Sequence, residues 1–105
     1  MTPEGKSKIK IKNEVKKGLD DKKIYYFCPV QTGYGKRTVD ILCCIDGKFV
    51  AIEVKRPDMP IKPKMFQKDV LEEVRASGGI GIVATCWKDV AIELSWNYVN
   101  ENKTS

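Results

Sequence analysis

The sequence predicts a single α/β domain of mixed α+β type, in the order α-β-β-β-α-β-α, and three observations carry that expectation. Two apolar runs, Val39 to Ile45 and Phe49 to Val54, flank Asp46-Gly47, the dipeptide that a type I′ two-residue hairpin turn favours. On either side of this hairpin, from Ile9 to Leu19 and from Phe66 to Val74, apolar residues recur at helical spacing. Ile80 to Thr85 (IGIVAT) is a short continuous apolar run of the kind buried on both faces, which predicts a strand inside the sheet. A chain of 105 residues has room for one core, so residues 1–105 read as one domain.

Taken in order, Thr2-Pro3-Glu4 predicts a helix start, with threonine at the N-cap, proline in the first turn and an acid near the positive end of the dipole. The helix is expected from Pro3 to about Asp20. At about 100° per residue Ile11, Val15 and Leu19 share a stripe, and lysines cover much of the rest. Glu4 falls within that stripe and Glu14 on its shoulder. Glu4 either meets a buried partner or serves as a dipole-stabilising acid in a frayed turn.

Lys23 to Val30 (KIYYFCPV) predicts a strand ended or bent at Pro29. The loop Gln31 to Arg37 (QTGYGKR) follows. Its Tyr34, Lys36 and Arg37 could meet a base or sugar and two phosphates, or belong to an ordinary polar loop. After the hairpin, Arg56 to Pro63 holds three prolines and reads as a stiff connector carrying Arg56. Pro63 is expected to open a helix to about Ser77, stopped by Gly78-Gly79. Gln67 lies inside that helix's apolar stripe, so its amide needs partners, either at a polar cluster or on the backbone. From Lys88 to about Val99 a last helix has Val90, Ala91, Leu94 and Tyr98 on one side and Ile92, Trp96 and Val99 on the other. The second side points to a homodimer contact through this region, with an extended C-terminal segment as the alternative. Asn100 to Ser105 reads as a disordered tail.

Composition narrows the chemistry. The chain has no histidine, which excludes Ser-His-Asp and Cys-His catalysis, zinc deaminases and nucleases with a histidine base. Cys28, Cys43, Cys44 and Cys86 show no CxxC spacing and are expected as buried free thiols. Net charge is +5, and residues 1–23 carry +4 of it, eight lysines against four acids. Lys6, Lys8 and their neighbours therefore suit a phosphate backbone, although anionic lipid or simple solubility would also fit. No apolar stretch approaches a span of about 20 residues, and the lysine-rich start lacks an apolar signal region. A cytoplasmic location without membrane contact is expected.

The hairpin sets the candidate site. Counting outward from Ile45 opposite Lys48, Asp40 lies across from Glu53, and Lys55 shares Glu53's strand face. Two carboxylates about 5 Å apart repel by about 3 kcal/mol at an effective dielectric near 20. A fold has little reason to keep that pair without a cation. The plain alternative is that Asp40, Glu53 and Lys55 sit solvated on the wet face of a half-buried hairpin.

Val39-Asp40 followed by Glu53-Val54-Lys55 resembles the PD-(D/E)XK nuclease superfamily. More narrowly the chain is similar to the VRR-NUC family in its small stand-alone phage form. That resemblance rests on Thr2 to Lys6, Pro29 to Gly35, Asp40, Ala51 to Lys55, and Pro63 to Gln67 leading to Gly78-Gly79. It departs at Val39, where the superfamily name expects proline.

The resemblance implies a restriction-endonuclease-like α-β-β-β-α-β core and a metal-dependent DNA endonuclease, in the host cytoplasm if phage-encoded. Asp40, Glu53 and the Val54 carbonyl would bind Mg²⁺ or Mn²⁺, with Glu4, rather than Glu14, reaching the metal or its water. Lys55 would orient or deprotonate the attacking water and Gln67 would orient the site. Tyr34, Lys36, Arg37, Arg56, Lys6 and Lys8 would contact DNA. The implied partner is branched DNA, such as a flap or Holliday junction, cut by a homodimer. The competing class is a domain of this fold that binds nucleic acid without cleaving it.

Overall fold

The computed structural model describes residues 7–30, 38–57 and 66–103, the side chains of 66–69 and 96–103 excepted. Its elements follow the expected order: α1 (Lys8–Asp21), β1 (Tyr25–Phe27), β2 (Ile41–Ile45), β3 (Lys48–Val54), α2 (Phe66–Ala76), β4 (Ile80–Ala84) and α3 (Trp87–Lys103). The four strands form one mixed sheet, ordered β1-β2-β3-β4. β1, β2 and β3 are successively antiparallel, and β4 lies parallel to β3.

Asp46 (φ 50°) and Gly47 (φ 79°) both take positive φ, as a type I′ turn requires. Ile45 faces Lys48 and Ile41 faces Ile52, which is the register that the turn alone predicts. Side chains alternate along this ladder. Ile41, Cys43, Val50, Ile52 and Val54 join Ile11, Val15 and Leu19 of α1 and Val90 of α3 in the main core. Ala51, Leu71 of α2 and Val39 form a smaller cluster. Gly18 admits the α3 indole, since a Cβ there would collide with the Trp87 ring.

Four expectations change. α1 begins at Lys8, because Ser7 is extended (ψ 161°) and its side chain accepts the Lys10 N–H. Ser7 is thus the cap in place of Thr2, and Thr2, Pro3 and Glu4 lie outside the described residues. β4 is an edge strand among the described residues rather than an inner one. Its apolar run reflects cover on its faces by α2 and α3, which does not require a strand on each side. Cys43 is buried but Cys44 is exposed, because neighbouring strand residues face opposite ways, and Cys28 and Cys86, which lie outside the strands, are intermediate. Finally, α3 continues to Lys103, so the last residues are not all tail. A smaller shift trims β1 to three residues; α2 is described from Phe66, and its expected start at Pro63 lies outside the described residues.

The end of α2 is legible at atomic detail. Gly78 (φ 97°) donates to Arg75 O and Gly79 donates to Val74 O, the paired bonds of a Schellman cap. Gly79 and Gly81 then bring β4 under α2, where a Cβ would meet Val74 Cγ1 at 2.7 Å and Leu71 O at 3.1 Å, respectively. No helix among the described residues is long and apolar enough to cross a membrane.

Candidate active site

β2 ends one residue short of the point where Asp40 would pair with Glu53. There the Asp40 side chain replaces the ladder: its Oδ2 accepts the Val54 N–H at 2.9 Å. In a strand the N–H and C=O of one residue leave on the same edge, so the Val54 carbonyl belongs to this edge as well. On the other side β3 continues past its last pair, with Lys55 N–H donating to Ala84 O at 2.9 Å. Backbone pairing on one flank and a carboxylate on the other thus fix the Glu53-Val54-Lys55 segment.

The ionic groups converge as the register requires. Lys55 Nζ stands 3.3 Å from Glu53 Oε2. Lys8 Nζ, from the first turn of α1, stands 3.4 Å from Asp40 Oδ2 and 3.7 Å from Glu53 Oε2. Glu53 is only 1% exposed, which rules out the wet-face alternative for this residue. Neither of its carboxylate oxygens has a hydrogen-bond partner among the described residues. Burial, followed by the charge of Asp40, pushes the Glu53 carboxyl up to about 7, while Lys8 and Lys55 pull it back. Once protonated, the acid can also share its proton with Asp40, which adds to the rise. An inner strand that holds such a group gives up folding stability for it.

Buried oxygens without hydrogen bonds, facing a second carboxylate, fit a hard divalent cation that keeps waters in its remaining positions. The Lys8 ammonium, within 4 Å of both acids, shows that positive charge is accommodated between them. Among the described residues no group of three or more Asp, Glu, Cys or His gathers. A third acid would have to come from outside them, where Glu4 lies.

The remaining residues weighed for the site, with Glu14 as the acid set aside in favour of Glu4, divide in three. Glu14 is committed elsewhere, its Oε2 accepting the Trp87 N–H at 2.8 Å, so it ties α1 to the start of α3. Arg56 is half-buried beside Lys55 and engages in contacts of its own. Lys6, Tyr34, Lys36 and Arg37, like the Gln67 side chain, lie outside the described residues. The Gln67 backbone can be placed from the helix around it. Val74 packs on Gly79 and Leu71 on Gly81, so α2 runs antiparallel to β4. One turn further back, about 6 Å, brings Gln67 near the level of Val83, the strand partner of Glu53.

Lys8 enters the site in a way that its place in a basic segment does not suggest. The signal was available: Lys8 precedes Ile11 by three residues and Val15 by seven, which puts it on the buried face of α1. Compared with models of protein families and with curated protein sequences, the chain matches none.

Proposed function

We propose that this chain is a Mg²⁺- or Mn²⁺-dependent endodeoxyribonuclease of the VRR-NUC type, with the α-β-β-β-α-β core of the PD-(D/E)XK superfamily. The observation that supports this best is the convergence of Asp40, buried Glu53 and Lys55 where β2 and β3 part. Asp40, Glu53 and the Val54 carbonyl would hold the cation, with Glu4 as a further ligand. The bound cation would lower the pKa of a water and offset charge on the scissile phosphate. Lys55, held 3.3 Å from Glu53, would orient or deprotonate the attacking water. Glu53 is confined by burial, so the pair presents its charge in one fixed direction. The lysines of α1 supply attraction for the phosphate backbone that does not depend on sequence. Branched DNA cut by a homodimer is the substrate we favour, since α3 carries Ile92, a large apolar residue 57% exposed, on the side away from the core.

The test is cleavage of labelled single strand, duplex, flap and four-way junction with Mg²⁺, Mn²⁺ or EDTA, comparing wild type with Asp40→Asn and Lys55→Ala. Metal-dependent cutting that both variants lose supports the proposal, and symmetric cuts confined to the junction support a dimeric resolvase. Tight binding without cutting in either metal, unchanged in the variants, would replace it with a non-catalytic DNA-binding module.

A further inference from the structure

We propose that Lys8 is the resident counter-ion of the Asp40-Glu53 pair and competes with the divalent cation, so that cation binding drives its ammonium out toward the substrate phosphate. This inference rests on the cation-binding reading above.

The geometry supplies the competition. Lys8 Nζ is within ion-pair distance of both carboxylates, at 3.4 and 3.7 Å. A divalent cation drawn to the same oxygens removes the charge that attracts the ammonium and adds repulsion of its own. Lys8 is also held there against the helix. It is the first residue of α1, whose first turn contains no acid, and a cation at a helix N-terminus is disfavoured by the macrodipole. The acid pair is therefore what draws the ammonium inward, and neutralising the pair reverses the balance.

A path outward exists for Lys8 and much less so for Lys55. The Lys8 side chain is 44% exposed, whereas that of Lys55 is 15% exposed. The two lysines thus divide the work: Lys55 stays beside Glu53, and Lys8 exchanges a carboxylate partner for a phosphate oxygen at the mouth of the site. Lys8 is a positioning residue in this account, setting how much free cation the site needs and where the phosphate comes to rest.

The experiment is calorimetric titration of Mn²⁺ into the full chain, as wild type, Lys8→Met, Lys8→Arg and Lys10→Met. Lys8→Met is expected to bind Mn²⁺ about tenfold more tightly or better, because a competing charge is gone. Lys8→Arg keeps the charge and is expected within about threefold of wild type. Lys10→Met, the same change at a neighbouring exposed lysine, is expected within about twofold, since exposed charges are screened. Equal or weaker binding by Lys8→Met, with wild type still binding, overturns the role of Lys8 and leaves the nuclease reading intact. Absence of Mn²⁺ binding in every variant removes the cation site itself and the Lys8 inference with it. Wild type gives a second readout that does not depend on variant folding. Saturating Mg²⁺ is expected to move the Lys8 Cε and Hε NMR signals toward free-lysine positions, and signals that stay in place refute displacement.

Discussion

At its turn the β2–β3 hairpin follows every rule that a short isolated hairpin would follow, while five residue pairs away its open end breaks one. Asp46 and Gly47 occupy the positive-φ positions that suit them, and Ile45 to Ile41 pair in register with Lys48 to Ile52. One step beyond Ile41 and Ile52, the same register brings two carboxylates together, one of them fully buried. The turn fixes the register, and the register forces the acids to meet. Local chemistry that serves only folding thus sets up a site that works against it, and such inconsistency is where function is expected in a folded chain.

The largest way to break this contrast is to remove one charge at the open end. Asp40→Asn keeps an oxygen that can accept the Val54 N–H, so the backbone arrangement survives. On the proposed reading it lowers metal-dependent cleavage about a thousandfold, with Lys55→Ala comparable. Cleavage measured on folded, circular-dichroism-matched protein checks both. Activity retained in Asp40→Asn would make the acid pair a structural oddity with no catalytic use.

Next in size is the conflict itself, measured as stability. Glu53 has a folded-state pKa raised from 4.5 to about 7. The folded chain therefore binds this proton more tightly than the unfolded chain does. Stability from this group is fully present below about pH 4.5, falls as pH rises toward about 7, and is flat above that. The loss amounts to roughly 3 kcal/mol at 1.36 kcal/mol per unit. Glu53→Gln, which cannot ionise, is expected to lack this fall, so urea unfolding at a series of pH values should show the two proteins diverging between about pH 4.5 and 7. Added Mg²⁺ should return stability above pH 7 to wild type but not to Glu53→Gln. Parallel pH profiles would mean that Glu53 is not ionised at a cost.

How far the sequence could be read follows the same division between local and distant causes. The turn, the register and the meeting of Asp40, Glu53 and Lys55 were legible because they depend on a dipeptide and a period of two. The edge position of β4 was not, since IGIVAT records that its faces are covered and says nothing about which strands flank it. The start of α1 was not legible, because Thr2-Pro3-Glu4 carries a local capping pattern while the cap is Ser7, whose side chain accepts the Lys10 N–H at 3.2 Å. The spacing of Lys8 puts it on the buried face of α1, but which groups it meets there depends on how α1 packs on the sheet, which no local pattern encodes. The commitment of Glu14 to the Trp87 N–H spans 73 residues, a separation that no local pattern encodes.

A smaller effect is expected at the turn. Gly47 has φ 79° and open space where a Cβ would go, so Gly47→Ala costs only the left-handed backbone penalty, about 1 kcal/mol. Chemical denaturation checks the stability, and cleavage per folded molecule should be unchanged. A fall in specific activity would mean that the register slips when the turn is weakened, carrying Asp40 away from Glu53.

The smallest change repeats the first at the opposite end of the same ladder. Asp46→Asn exchanges a carboxylate for a carboxamide, as Asp40→Asn does, and alters net charge by the same amount. At Asp46 the backbone needs a residue that tolerates positive φ, and Asn meets that need as well as Asp. The side chain is exposed and forms no part of the acid cluster. Stability is therefore expected to move by no more than about 0.5 kcal/mol, and cleavage and Mn²⁺ affinity should match wild type. If Asp46→Asn weakened either one, the charge of the whole strand pair would be acting at a distance. If it is silent while its counterpart at residue 40 abolishes activity, the chemistry depends on where the register places a carboxylate, and not on how many the hairpin carries.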